Sequence, residues 1–150
     1  MGESKKEVLR VQFDPSVKLE FHDARVTSDG GLLLLREMDE VLGLTVLAED
    51  ILQDPRTGQN TQHTMTALLR QAVYGRLAGY EDTNGAERLR VDRALRQIVG
   101  GRAKEHLAAS TSQMSRFETE ILTSDENVQA LADLAEGGYR KPIVVQRQRN

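Results

Sequence analysis

The fold is decided by one stretch of the sequence, Gln71-Ala-Val-Tyr-Gly-Arg-Leu-Ala-Gly-Tyr-Glu-Asp-Thr-Asn-Gly-Ala-Glu-Arg-Leu-Arg90. Apolar residues leading into it recur at helical spacing, which predicts a helix with one face against a core. They are Met65, Leu68, Leu69, Ala72 and Val73. Gly79 permits the left-handed turn that ends such a helix. Asn84 followed by Glu87 matches a capping box, so a second helix is predicted to begin there.

Length and composition predict one modest domain with loose ends. The chain has 150 residues, of which 39% are hydrophobic, and it has no cysteine for a disulfide framework or a thiolate metal site. The N-terminus lacks the apolar core of a secretory signal, and the longest apolar run, 32–35, is far shorter than the ~20 residues of a membrane span. We therefore expect a cytoplasmic protein without membrane association.

Charge is distributed unevenly along the chain. The net charge is −3, which does not favour a general polyanion binder. Residues 1–60 hold 7 basic and 12 acidic side chains, whereas residues 88–104 hold six basic side chains and one acidic one. A phosphate-binding surface is therefore expected in the window 88–104.

The N-terminal half predicts a β-hairpin and two helices. Alternating residues at 8–13 and 17–21, with a turn signal at 14–16, predict the hairpin. Ser28 or Asp29 can cap a helix that buries Leu32, Leu35, Met38 and Leu42 and ends at Gly43. Asp39 and Glu40 are expected on its exposed face, and a shorter helix is expected over 45–52. His22 and His63 are interpreted as surface residues, because neither has a partner at ligand spacing.

The basic window begins with an amphipathic helix that Gly100-Gly101 ends. Its apolar stripe is Val91, Ala94, Leu95 and Ile98. The arginines at 90, 93 and 96 point away from this stripe, and they form either a solvated face or a helix surface laid along a DNA backbone.

Residues 102–118 have the proportions of a helix-turn-helix, with the first helix running through Leu107 and the second carrying Gln113 and Arg116. Gln can read adenine and Arg can read guanine. In the alternative interpretation, Met114 and Phe117 pack inward and the polar residues face water. Ser124 then begins a last helix, which Gly137-Gly138 ends.

Three blocks, in order along the chain, resemble the group-1 DDE transposases encoded by bacterial insertion sequences. The first reads Thr27-Ser-Asp-Gly-Gly-Leu-Leu-Leu-Leu-Arg-Glu-Met-Asp39. The second is Gly79-Tyr-Glu-Asp-x-Asn84, followed by Arg88-Leu-Arg-x-Asp92-x-Ala-Leu95. The third, Leu107-Ala-Ala-Ser-Thr-Ser-Gln-Met-Ser-Arg-Phe-Glu118, is similar to the family's Leu-Ala-Ser-Gln-x-Thr-Leu-Ser-Arg-Phe-Glu block. Together the three blocks are fairly specific.

The resemblance implies the N-terminal portion of an RNase H-like DDE transposase, mainly α with a short N-terminal β-hairpin. We expect a tail and hairpin over 1–26, a helical domain over 27–136 and a basic tail over 137–150 that starts the catalytic domain. The full-length family holds Mg²⁺ or Mn²⁺ with three carboxylates. In the family the first aspartate follows a strand like Ile143-Val-Val145, but here Gln146, Arg147 and Gln148 follow it. We therefore expect a chain truncated before the catalytic sheet, without cofactor, catalytic residue or metal site, and inactive alone.

The function implied is recognition of the terminal inverted repeats of an insertion sequence during DNA transposition, in the bacterial cytoplasm at the nucleoid. A homo-oligomer or a complex with full-length transposase is a further expectation. The side chains predicted to contact DNA are Arg88, Arg90, Arg93, Arg96, Arg102, Lys104, Gln113 and Arg116.

Two alternatives remain open from the sequence. One is a helical interaction module that does not bind DNA and associates with full-length transposase through the apolar faces of residues 31–52. The other is a helix-turn-helix regulator that acts independently. The overall charge of −3 favours the interaction module, and the basic window 88–104 favours DNA binding.

Overall fold

A computed structural model of the chain describes residues 9–19, 30–57 and 61–137, and this part is mainly helical. Along the chain the elements are β1 (Leu9–Arg10), β2 (Lys18–Leu19), α1 (Gly30–Leu42), α2 (Leu47–Ile51), α3 (Met65–Leu77), a 3-10 turn (Thr83–Gly85), α4 (Ala86–Leu89), α5 (Arg93–Val99), α6 (Arg102–Glu105), α7 (Thr111–Arg116), a π-helical turn (Phe117–Ile121) and α8 (Asp125–Ala135). The predicted mainly α class is therefore confirmed.

The hairpin predicted over 8–13 and 17–21 is not supported. Only two residue pairs form an antiparallel ladder, Leu9 with Leu19 and Arg10 with Lys18. The backbone N–H of Gln12 donates to both carboxylate oxygens of Glu37 in α1, at 2.8 and 2.9 Å, so it has no strand partner. Residues 11–17 thus form a loop docked on the helices, which we call the N-terminal loop; positions 8, 20 and 21 lie outside the described residues.

Helix α3 is the central element, and its predicted extent is confirmed. The Thr64 hydroxyl accepts from the Ala67 N–H at 3.1 Å and caps its start. Gly79, with φ +96°, follows its end. Within the predicted stripe Val73 is exposed, because the buried face of α3 continues through Ala72 and Tyr74 instead.

Two apolar cores lie on either side of α3, which contributes residues to both. The first core is Leu52, Met65, Leu68, Ala72, Ala86, Ala109, Met114, Phe117 and Ile121. The second core is Leu32, Ala67, Tyr74, Leu89, Leu95, Ile98, Val99, Ala103 and Ala108. The basic window therefore packs on the second core, and the segment carrying α7 packs on the first.

Helix α1 presents the opposite face from the one predicted. Arg36 and Asp39 are buried beside Leu32, whereas Leu35, Met38 and Leu42 are exposed. The Arg36 Nε donates to the Ile98 carbonyl at 3.1 Å. The Asp39 carboxylate accepts from the Thr45 N–H at 2.8 Å and from the Thr45 hydroxyl. These bonds satisfy the buried charges, so the polar face is the one that packs. The predicted end of α1 at Gly43, with φ +68°, is confirmed.

Tyr74 of α3 lies against this polar face of α1. Burial, and then the charge of Asp39, raise the pKa of Tyr74 to about 12. The phenol therefore stays protonated and can donate to the Asp39 carboxylate.

The turn between α3 and α4 is capped two residues earlier than predicted. The Asp82 carboxylate accepts from the Asn84 N–H at 2.9 Å and begins the 3-10 turn. Glu87, the predicted capping-box partner of Asn84, instead accepts from the Thr111 N–H at 3.1 Å. The capping box that does form has the same spacing, with Ser110 and Gln113 at the start of α7.

The helix-turn-helix prediction is wrong in its first helix. Helix α6 has four residues and ends before Leu107, which is exposed. Met114 and Phe117 are both buried, so the inward-packing interpretation of α7 is confirmed. The predicted stops at Gly100 and Gly101, which have φ of +75° and +54°, are confirmed.

Candidate nucleic-acid interface

Three of the eight predicted DNA-contact side chains are engaged within the fold. The Arg96 Nε and Nη2 donate to the Ala103 and Lys104 carbonyls at 2.8 and 3.2 Å. The Lys104 Nζ lies 2.6 Å from the carboxylate of buried Asp14. The Gln113 Oε1 accepts from the Ser110 N–H at 2.9 Å in the capping box of α7. Their polar groups stabilise α5, α6, α7 and the N-terminal loop.

Arg90 is half-buried at the end of α4. One guanidinium nitrogen lies 3.4 Å from the Glu87 carboxylate. Its Nε is buried and has no hydrogen-bond partner in the described part of the chain. Its carbonyl accepts from the Ala108 N–H at 3.1 Å. Arg90 therefore joins α4 to the segment before α7.

The other four predicted side chains, Arg88, Arg93, Arg102 and Arg116, are exposed. None of them forms a side-chain hydrogen bond or ion pair with the residues that the structure describes. A guanidinium without an internal partner keeps its donors for an external anion.

Two depressions in the surface meet at Gln62 and His63. The first is lined by Arg56, Gln62, His63, Leu68, Gln113, Arg116, Phe117 and Ile121. The second is lined by Val46, Glu49, Gln62, His63, Thr64, Thr66, Ala67, Arg70, Val99, Gly101 and Arg102. We call the two together the His63 cleft. The exposed Arg116 lines the first depression, and the exposed Arg102 lines the second.

His63 is buried rather than on the surface as predicted. Burial, followed by the positive charges of Arg102, Arg56 and Arg90, lowers the pKa of His63. Because its pKa is lowered, His63 is mostly neutral at pH 7, and burial contributes more to the shift than the positive charges nearby.

Arg56 fixes the loop that carries His63. Its Nε and Nη2 each lie 2.7 Å from the Asp54 carboxylate, and its Nη1 donates to the His63 carbonyl at 2.8 Å. Arg56 is paired with Asp54, and Arg70, which also lines the second depression, donates to the Thr45 hydroxyl and the Val99 carbonyl. Within the part of the chain that the structure describes, Arg102 and Arg116 are the cations of these depressions without an internal partner.

The N-terminal end of α3 opens into the second depression, where Thr64, Thr66 and Ala67 line it. The first turn of a helix carries a partial positive charge, which favours an anion at that position. Glu49 also lines this depression and opposes that field. The sequence signal for this region was Thr64 directly before the apolar run of α3, which places His63 beside a helix start.

The family of the chain follows from a comparison with protein-family models. The model described as transposase DDE domain, group 1, matches residues 9–143. The chain belongs to this transposase family. No curated protein and no solved structure matches it.

The DDE transposase family uses carboxylate side chains to hold divalent metal ions. Among residues 9–19, 30–57 and 61–137, no three His, Cys, Asp or Glu side chains are grouped to hold a metal ion. The described residues therefore do not form a binding site for a divalent metal ion. None of the helices described has the length and apolar content that a membrane span requires.

Proposed function

We propose that this transposase chain binds DNA and recognises the terminal inverted repeats of its own insertion sequence, with residues 27–136 as the DNA-binding domain. The observation that supports it best is a set of exposed arginines that have no partner among residues 9–19, 30–57 and 61–137, namely Arg88, Arg93, Arg102 and Arg116. Phosphate oxygens are the ligands that such guanidinium groups bind, often in bidentate pairs.

The His63 cleft supports a specific docking region. Arg102 and Arg116 border it, and the positive end of α3 opens into it. A DNA duplex bound along this region can contact both arginines. Arg88 and Arg93 extend the proposed contact set beyond the cleft.

The division between phosphate and base contacts follows from what each side chain has free. Arg102 and Arg93 are proposed phosphate contacts. Arg116 and the amide nitrogen of Gln113 remain proposed base readers, since the capping box uses only the Gln113 oxygen. Arg90, Arg96 and Lys104 are proposed to contribute mainly to the positive electrostatic potential and the shape of the DNA-binding surface. Their donors are at least partly engaged within the fold.

The test is a fluorescence anisotropy titration with an inverted-repeat duplex and a scrambled duplex at two or more salt concentrations. If Arg93 and Arg102 each neutralise a phosphate, the double alanine variant reduces the slope of log affinity against log salt by about 1.8, which is about 60-fold in affinity near 0.1 M salt. The matched control is Arg10→Ala with Arg76→Ala. It removes the same charge from side chains that bond Pro15 and Glu118.

Equal losses in the two double variants would contradict the phosphate contacts assigned to Arg93 and Arg102 and indicate a net-charge effect. No binding to either duplex by a folded chain would overturn the DNA proposal and favour the interaction module. We also propose that the full-length family member has an RNase H-like catalytic domain. We propose that this chain alone has no strand-transfer activity. Metal-dependent nicking of supercoiled plasmid that survives repurification would contradict that assignment.

A further inference from the structure

Helix α1 carries an exposed apolar surface that the DNA-binding proposal does not use. It consists of Leu34, Leu35, Met38, Val41, Leu42 and, just after the helix, Leu44, and we call it the α1 stripe. Four of these side chains line one shallow, apolar depression together with Glu37. Met38 is 58% exposed and Val41 63% exposed, so the stripe has no cover among the described residues. Large exposed apolar patches mark interaction sites.

The charged side chains of α1 have partners among the described residues. Arg36 bonds Ile98 and Glu40, and Asp39 bonds Thr45. Glu37, at the edge of the apolar depression, accepts the backbone N–H groups of the N-terminal loop. The stripe itself contains no charged residue, so two identical stripes can bring apolar side chains together at their centres, with Glu37 at the edge. A charged partner helix would find no complementary charge within the stripe.

The area of the stripe suits a dimer of this chain. The exposed parts of its six side chains add to roughly 550 Å², near the upper limit for the largest patch of a monomer. Two copies packed face to face would bury roughly 1,100 Å², which exceeds the ~1,000 Å² expected of a biological interface. A seam with Leu35, Met38 and Leu42 at i, i+3 and i+7 also has the spacing of helix pairs that pack side by side.

We propose that the α1 stripe is the contact surface of a homodimer, in which α1 of one copy packs against α1 of a second copy about a two-fold axis. In such a contact the residue at the centre of the surface meets its own equivalent. Met38 lies midway between Leu34 and Leu42, so it faces Met38 of the second copy. The dimer is measured in the absence of DNA, so the result does not depend on whether the chain binds DNA.

The test uses opposite charges at this central position. Met38→Glu and Met38→Lys each place like charges across the axis and should each reduce the sedimenting mass from twice 16.7 kDa to 16.7 kDa. An equimolar mixture of the two variants should restore the doubled mass, because Glu then faces Lys. The matched control is Val128→Glu on α8, an exposed apolar residue outside the stripe, which should dimerise like the wild type.

Analytical ultracentrifugation from about 1 to about 500 μM covers the affinities expected for an interface of this size. Circular dichroism and urea unfolding establish that each variant is folded. A folded wild-type chain that stays monomeric throughout overturns the proposal and leaves the stripe to a different partner. A dimer that Met38→Glu does not weaken by at least tenfold, or that Val128→Glu weakens equally, also overturns it.

Discussion

Replacing Asn127 with alanine is expected to destabilise the fold by about 3 kcal/mol, because this buried amide joins three segments. The side chain is 1% exposed. Its Oδ1 accepts from the Gln53 N–H at 2.7 Å, and its Nδ2 donates to the Gln53 carbonyl at 3.0 Å and to the Ile121 carbonyl at 2.9 Å. It therefore links α8 to the segment after α2, 74 residues away, and to the π-helical turn.

The magnitude follows from what happens to each partner. Gln53 is exposed, so water can solvate its backbone groups after the substitution, and each lost bond costs about 0.5–1 kcal/mol. The bond to Ile121 is buried, so its carbonyl loses the Asn127 donor without water to replace it, although it keeps the longer bond from the Ser124 N–H at 3.3 Å; we take about 1–2 kcal/mol for this loss. The sum is a large share of the ~5–15 kcal/mol that stabilises a typical domain.

Urea unfolding followed by circular dichroism measures this loss of unfolding free energy. In a separate thermal unfolding experiment, the Tm should fall by about 6–12 °C. The control is Gln129→Ala on the same helix. That amide is exposed and bonds only the exposed Asp133 in the described part of the chain, so its loss should cost about 0.5 kcal/mol or less. A cost below about 1 kcal/mol for Asn127→Ala, or one equal to the control, would refute the assigned role of the amide.

Three further predictions concern packing and pH. Gly85→Ala places a Cβ 2.3 Å from Cδ1 of Tyr80 and should cost about 1–3 kcal/mol in urea unfolding, whereas in a Tyr80→Ala background the added cost should be smaller, because only the 2.9 Å approach to the Cβ of residue 80 remains. The interaction with Lys104 lowers the pKa of Asp14. The wild type should therefore have a larger free energy of unfolding than Asp14→Asn above pH ~4, and this difference should disappear as the pH falls through the folded-state pKa of Asp14. Burial and then the surrounding arginines lower the pKa of His63, so stability relative to His63→Gln should fall as the pH drops through 6.5, where only the unfolded state gains the proton. NMR titration should show that saturating duplex raises the pKa of His63, if phosphates offset those arginines.

The elements that the sequence predicts well are those with both a periodic apolar face and a terminal signal. Helix α3 has an apolar run, a threonine cap and Gly79, and its limits follow from them. Helix α8 likewise begins at Ser124 and is followed by Gly137 with φ +77°. Such signals are local, so they need no knowledge of the rest of the fold.

The buried polar groups could not be predicted in the same way. Burial of Arg36 and Asp39 depends on the Ile98 carbonyl and on Thr45, which no local pattern reveals. The apolar stripe of α1 is real, but it lies on the surface. For the same reason the sequence does not show that Gln71 is buried and bonds both backbone groups of Ala109, at 2.8 and 2.9 Å.

The candidate site was predicted as a charge window rather than as a surface. Arg102 is exposed and has no partner among the described residues, whereas Arg96 and Lys104 are bound by partners that only tertiary structure brings near. The predicted capping box at Asn84 and Glu87 does not form, whereas Ser110 and Gln113, which have the same spacing, do form one. At the earlier helix start the Asp82 carboxylate accepts the Asn84 N–H and acts as the cap instead.

The N-terminal loop has a consequence for the order of folding. Its contacts join residues far apart in sequence: Phe13 packs against Arg36, with the guanidinium 4.7 Å from the ring centre, and Asp14 reaches Lys104. Such contacts close long loops, so they become favourable only after the helices hold their partners in place. Docking of the loop is therefore a late event, and substitutions that loosen it should speed unfolding while leaving the folding rate nearly unchanged.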